Sequence, residues 1–337
     1  MIPKTASKTT LDPQISSLTT SHPDLQLGGG NLLTERRIHS QIFNFTSLPK
    51  HSQASIGHVE FTALRGPHGA INMRVLYPSQ PQKHPTTGLT PALIYFHGGG
   101  YTVGSPDDFE NGCRFLAEKS GVQVYVVEYR LAPEWGYPTQ LDEYESVLNW
   151  LRGDGGKERG VDPNLIFGAG DSAGGNMTAA ISLRLCDEKK EGLNGVFLLY
   201  PETRLPFDTG AAVENNGGPY LVCNGIFEFA RYYIPPGVPP SISYISPGMQ
   251  PVEGLKDFPP AAVYTCGFDC LRDVGVEFAS KLEQAGNHVT WRHYETLSHG
   301  FLQMAPWSNT AMDALTQVAQ DGGDFVERSR DKMTNQT

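Results

Sequence analysis

Leu165-Ile-Phe-Gly-Ala-Gly-Asp-Ser-Ala-Gly-Gly-Asn176 decides how this chain is read. Leu165 to Phe167 is a short apolar run suited to a buried strand, and Met177 to Leu185 suits a helix. Between them, Gly170-Asp171-Ser172-Ala173-Gly174 has the Gly-x-Ser-x-Gly spacing of a nucleophile elbow. A serine on so tight a strand-to-helix turn takes a strained backbone conformation that exposes its hydroxyl. The residues two before and two after it pass so close to neighbouring backbone that a side chain there would clash, hence the glycines. A helix starting just past Ser172 aims its free N–H groups at negative charge forming above the serine. The same letters admit two other readings: an ordinary flexible turn, or a dinucleotide fingerprint Gly168-x-Gly170-x-x-Ala173 with Asp187 as the ribose acid.

The rest of the chain arbitrates. Its 337 residues, 39% of them hydrophobic, suffice for a large core. A formal net charge of −10 argues against nucleic acid and anionic membrane surfaces, which require clustered cations. Cys113, Cys186, Cys223, Cys266 and Cys270 are odd in number and scattered, so free thiols in a reducing compartment are expected. No secretory signal and no membrane-span-length stretch is read, and the expected location is cytoplasmic.

Residues 1–30, rich in Ser, Thr and Pro, read as a mobile arm or a segment ordered only against something else. Ile38 to Phe45 is compatible with a short helix. His58–Leu64 and Ile71–Tyr77 alternate as strands around the turn Gly66-Pro-His-Gly69 and predict a hairpin. Ala92–Phe96, Val122–Val127 and Gly195–Tyr200 are continuous apolar runs suited to strands buried on both faces. Helices are predicted from Ser105 to Lys119 and along Leu141, Tyr144, Leu148 and Leu151. Residues 201–260, rich in Pro and aromatics, break the rhythm as an insertion. It resumes with strand Ala261–Thr265, a helix ended by Gly286, strand Val289–Tyr294 and a last helix from Ser308 to Gln320, with a frayed tail beyond Asp321. Alternating strands and helices predict a mostly parallel central sheet with helices on both faces.

Acyl transfer by serine requires a nucleophile, a base, a carboxylate that orients the base, and donors for the oxyanion. Each lies at the C-terminal end of a predicted strand: Ser172 on the elbow, Asp269 after Ala261–Thr265, and His299 after Val289–Tyr294. His97-Gly98-Gly99-Gly100 follows Ala92–Phe96, and the N–H groups of Gly98, Gly99 and Ala173 are the expected oxyanion donors. His97 and Gly100 are read as support for that turn, and Arg130 and Glu134 as fixing their loop by pairing with backbone or each other. His288 and His293 are taken as ordinary histidines, and Cys270 as a buried thiol. Tyr101, Phe227, Phe229, Tyr232 and Tyr233 are candidates for lining an acyl pocket or packing beneath a cap.

Five stretches run in the order of one known family: His97-Gly-Gly-Gly100, Tyr129-Arg-Leu-Ala-Pro-Glu134, Gly170-Asp-Ser-Ala-Gly-Gly175, Asp269-Cys-Leu-Arg-Asp273 and His299-Gly-Phe301. On these the chain resembles the hormone-sensitive-lipase-like α/β-hydrolases, which include bacterial esterases and plant carboxylesterases. The resemblance implies an α/β-hydrolase fold with Ser172, Asp269 and His299 as triad and the glycine turn as oxyanion loop. It implies a cap from residues 1–55 plus the insertion 201–250, over core segments 56–200 and 251–337. The implied activity is cleavage of a small to medium carboxylic ester without cofactor or metal, and a homodimer is an assembly left open. Plant lyases, acyltransferases and hormone receptors share the scaffold, though the receptors lack the histidine retained here as His299. Cys270 and Val274 stand where the family has Pro and Glu, which leaves Asp273 as an alternative acid.

Overall fold

The computed structural model describes residues 1–334. Eight strands form one sheet: β1 (His58–Gly66), β2 (Gly69–Tyr77), β3 (Thr90–Phe96), β4 (Gln123–Glu128), β5 (Val161–Asp171), β6 (Val196–Leu199), β7 (Ala261–Phe268) and β8 (Val289–Ser298). Their order is β1-β2-β4-β3-β5-β6-β7-β8. The β1–β2 hairpin and the β2–β4 pair are antiparallel, and every later pair is parallel. β3 is buried at all seven positions, as a strand covered on both faces requires.

Helices precede, connect and cover the strands: α1 (Pro13–Ser21), α2 (Leu32–Phe43), α3 (Pro106–Ser120), α4 (Thr139–Arg152), α5 (Asp154–Glu158), α6 (Ala173–Asp187), α7 (Gly210–Glu214), α8 (Gly225–Tyr233), α9 (Arg272–Gln284), α10 (Phe301–Met304) and α11 (Asn309–Thr334). Pro106 opens α3, whose missing N–H matters little in a first turn, and Gly121 ends it at φ 70°. On one face of the sheet, Phe109, Leu116, Leu315 and Val318 of α3 and α11 join a buried cluster with Phe167 and Phe197. On the other, Leu148, Ile181 and Phe278 of α4, α6 and α9 pack with Ile94, Ile166 and Val263.

One expectation is corrected, and two open alternatives are decided. The tail is not frayed at Asp321: α11 continues to Thr334, because Phe325 and Val326 are buried and Phe325 packs 4.9 Å from the Phe197 ring. Residues 1–30 are ordered against their own fold. Asp12 caps α1 through Gln14 and Ile15 N–H, Ile15 and Leu18 are buried, and the Thr9 and Asp12 N–H groups donate to the Glu295 and Thr296 carbonyls of edge strand β8. Of the two arrangements expected for Arg130 and Glu134, pairing with each other is not seen, whereas Arg130 does hold backbone, donating to His68 O at 2.7 Å. Arg130 meets buried Glu143, while Glu134 holds Arg36 of α2 at 2.7 Å, and Arg36 also donates to the Thr102 and Ala132 carbonyls. No described helix is long and apolar enough to cross a membrane.

Candidate active site

Parallel strands end together, and the sequence-nominated residues sit on those ends. Ser172 is one residue past β5, Asp269 one past β7 and His299 one past β8. Phe268 and Ser298 are register partners, so Asp269 and His299 leave the sheet side by side. Phe96 likewise pairs with Gly170, which brings His97-Gly-Gly-Gly100 alongside the elbow.

Ser172 has φ 53° and ψ −120°, a strained conformation for a residue with a Cβ. Its N–H donates to Leu199 O at 2.8 Å, and its carbonyl accepts from Asn176 and Glu202 N–H, so the bend is braced on three sides. The glycines are sterically required. A Cβ on Gly170 would lie 2.3 Å from Gly174 C, and one on Gly174 would lie 1.9 Å from Phe96 O.

His299 Nδ1 is 2.9 Å from Asp269 Oδ2, and both side chains are buried. Since an ionised carboxylate only accepts, Nδ1 carries the proton and Nε2 the lone pair. Asp269 is fixed in turn: Oδ1 accepts from Leu271 N–H at 2.8 Å, and its carbonyl accepts from the Asn215 side chain. His299 Nε2 is buried and has no hydrogen-bond partner among the described residues. Asp273 is occupied elsewhere, by Arg272 and the Ala211 N–H, and does not meet His299.

The donor set needs one correction. Gly98 N–H donates to Asp171 Oδ1 at 2.8 Å, and the same oxygen accepts from Tyr95 OH at 2.7 Å. Gly98 still lies under the elbow, where a Cβ would stand 2.4 Å from Asp171 Oδ2; the chain turns away only at Gly99 (φ 104°) and Gly100 (φ 57°). The N–H groups of Gly99, Gly100 and Ala173 have no protein acceptor among the described residues. Gly100 thus presents the free donor expected of Gly98. Burial pushes the Asp171 carboxyl up to about 6, against the pull of Tyr95 and Gly98. His97 supports the turn: its Nδ1 donates to Gly98 O at 2.8 Å, Tyr129 OH donates to its carbonyl, and its ring stacks 5.0 Å from Phe109. Burial lowers its pKa to about 4, leaving it neutral.

Two stretches lie over this edge. Leu27 N–H donates to Tyr220 O and Val222 N–H to Leu27 O, stitching the N-terminal segment to the insertion by one parallel bridge. Gly28 and Gly225 pack so closely that a Cβ on Gly225 would meet Gly28 O at 1.6 Å. Phe229 of α8 lies directly on Gly100, and Tyr101 stacks on Tyr233 at 3.8 Å and 2°. Phe227, in contrast, is half exposed and stacks on Phe207. His293 is engaged by Thr265 and Ser7 O, and His288 by Arg328, both away from His299.

Sequence reasoning missed Glu202, His39 and Tyr220. Glu202 is fully buried two residues beyond Tyr200, and burial raises its carboxyl to about 8 against the pull of the Tyr101 hydroxyl. Its Pro201-Glu202 context, directly after a strand that pairs with the elbow strand, was the available signal. His39 and Tyr220 belong to no motif.

Residues 93–303 match the model of a family with the α/β-hydrolase fold. The chain is 34% identical over 246 residues to the esterase LipI of Mycobacterium tuberculosis, covering 72% of this chain and 74% of that one. It is 33% identical over 255 residues to the carboxylic ester hydrolase LipN of the same organism, covering 73% and 65%. Among solved structures, the hyperthermophilic esterase of the archaeon Pyrobaculum calidifontis superposes with a TM-score of 0.84 at 29% identity, covering 94% of this chain and 99% of that one. The chain belongs to the hormone-sensitive-lipase-like family of α/β-hydrolase-fold carboxylesterases.

Proposed function

We propose that this chain hydrolyses carboxylic esters of small to medium molecules through an acyl-enzyme on Ser172. The observation that carries the reading is the oriented imidazole: His299 is tethered at Nδ1 by Asp269, and its buried Nε2 is left open at the strand ends where the elbow serine stands.

In this reading Ser172 Oγ attacks the ester carbonyl carbon while His299 Nε2 takes its proton. The oxyanion is met by Gly99, Gly100 and Ala173 N–H, the last helped by the α6 N-terminus; one such donor is typically worth about a hundred- to a thousand-fold in rate. The tetrahedral species collapses, the C–O bond to the alcohol breaks, and the imidazolium returns its proton to the leaving oxygen. Water then attacks the acyl carbon with His299 again as base, and the acid leaves as Ser172 is regenerated. Asp269 keeps the imidazole in the productive tautomer and stabilises the imidazolium. Residues 1–55 and the insertion 201–250 serve as the cap, and the role is an intracellular metabolic or biosynthetic one.

The test is intact-mass labelling by a fluorophosphonate on the native chain and on Ser172→Ala, followed by a p-nitrophenyl ester series in oxygen-18 water. One adduct, absent from the variant, and label in the released acid are expected. Labelling that survives Ser172→Ala, or acid without the label, overturns the reading.

A further inference from the structure

The base is held on its proton-bearing side by Asp269, but one hydrogen bond leaves an imidazole free to swing about it. Tyr220, from the insertion, lies beside the imidazole. Its buried ring lies 6.4 Å from the His299 ring, at 25° between the planes. It also rests on the turn that follows: a Cβ on Gly300, at φ 83°, would come within 2.8 Å of its Cε1. A second ring, Tyr200, lies 4.7 Å from the imidazole at 59°.

The Tyr220 phenol is anchored from the other covering segment. His39 of α2 sits 2.8 Å from Glu35 O through Nδ1 and 3.0 Å from Tyr220 OH through Nε2. A carbonyl only accepts, so Nδ1 carries the proton and Nε2 receives the phenol's. Burial holds His39 neutral, with its pKa lowered to about 4, which preserves that acceptor. The Glu35 carboxylate accepts from the N–H groups of Gly28, Gly29 and Gly30, beside the bridge that joins the two segments. Phe43 closes the cluster, 5.9 Å from His39 and edge-on to Tyr220 at 6.2 Å.

We infer that Tyr220 and His39 are positioning residues for the base, the tyrosine ring walling the His299 imidazole and His39 fixing that ring from the N-terminal segment. The inference rests on the acyl-enzyme reading above. Neither residue touches the reacting atoms; they act by keeping Nε2 aimed, and small displacements of a catalytic group are costly in rate.

The test compares His39→Leu, His39→Gln, Tyr220→Phe and the double variant His39→Leu/Tyr220→Phe. The measured quantities are kcat, KM, thermal midpoint and the rate of fluorophosphonate labelling of Ser172. His39→Leu leaves a buried phenol without an acceptor and should lower kcat and the labelling rate by about tenfold, with KM little changed. His39→Gln, whose amide oxygen can accept the same proton, should recover most of that loss. The double variant should be no worse than Tyr220→Phe alone, because the two side chains act as one unit. If Leu and Gln are equally impaired, or if His39→Leu shifts only the thermal midpoint, the inference fails while the hydrolase reading stands. If the native chain itself is not labelled at Ser172, the acyl-enzyme reading fails, and this inference with it.

Discussion

The two halves of the candidate site are held by different physics. On the sheet side, Ser172, Asp269 and His299 each sit one residue beyond a parallel strand, so backbone register sets their spacing. Over them, the N-terminal segment and the insertion meet through a single β-bridge, a glycine contact and packed aromatic rings. Register is redundant, since each strand is fixed by its neighbours along its length. Side-chain packing is local, and one substitution can change it. On the proposed reading, the chemistry thus stands on the part whose geometry is fixed many times over, and substrate fit on the part that a single substitution can reshape.

The sharpest way to break that contrast is to remove sheet-edge groups and find little loss. Ser172→Ala should abolish ester turnover, a fall on the order of a million-fold in kcat if the triad acts as a unit, read with a p-nitrophenyl ester. Asp269→Asn should cost about ten thousand-fold, because an amide NH₂ at Nδ1 favours the wrong imidazole tautomer. The same substitution at Asp273, bonded instead to Arg272 and Ala211 N–H, should affect stability far more than the chemical step. A larger loss of kcat in folded Asp273→Asn than in Asp269→Asn would reassign the acid.

The contrast also explains what was legible in the sequence. Gly170 and Gly174 announce the elbow because steric exclusion leaves glycine as the tolerated residue there. Asp269 and His299 were legible because strands reveal themselves by apolar runs and their ends follow by counting. Choosing Gly100 over Gly98 as a donor was not, since it depends on which N–H the Asp171 carboxylate takes and on backbone angles at Gly99 and Gly100. The stretch beyond Asp321 is polar enough to read as frayed, but burying Phe325 and Val326 against the fold holds it helical. The His39–Tyr220 pair spans 181 residues and is a product of tertiary packing alone.

Between the two halves lies Glu202, whose N–H reaches the Ser172 carbonyl and whose carboxyl meets Tyr101 of the oxyanion turn. Its pKa near 8 in the folded chain exceeds its ordinary value of 4.5 because burial disfavours the charge. The folded state therefore binds a proton that the unfolded state has lost between those two values. Its contribution to stability is fully present below about pH 4.5 and is lost as pH rises through 8, at up to ~1.4 kcal/mol per pH unit. Glu202→Gln removes this dependence. Relative to the native chain, the variant should gain thermal stability from pH 5 to about pH 8 and level off above that, measured by calorimetry. Parallel stability curves for the two proteins would show that the carboxyl is already ionised at neutral pH.

The smallest expected effect tests whether the cover governs fit without governing chemistry. Phe229 is buried against Gly100, its ring occupying the space a Cβ there would need, and it also touches Gly28. Phe229→Ala leaves every strand end untouched and opens a void beside the oxyanion turn, with a stability cost of about 3–5 kcal/mol. Hydrolysis of a p-nitrophenyl acetate should change only a few-fold, since the void adds no contact to a two-carbon acyl group. An octanoate ester should gain several-fold in kcat/KM relative to acetate, because each methylene that enters an apolar void is worth about 0.8 kcal/mol. If acetate turnover instead collapses in a folded variant, Phe229 holds the glycine turn itself in shape. The division between a register-built chemical edge and a packing-built cover would then fail at their point of closest contact.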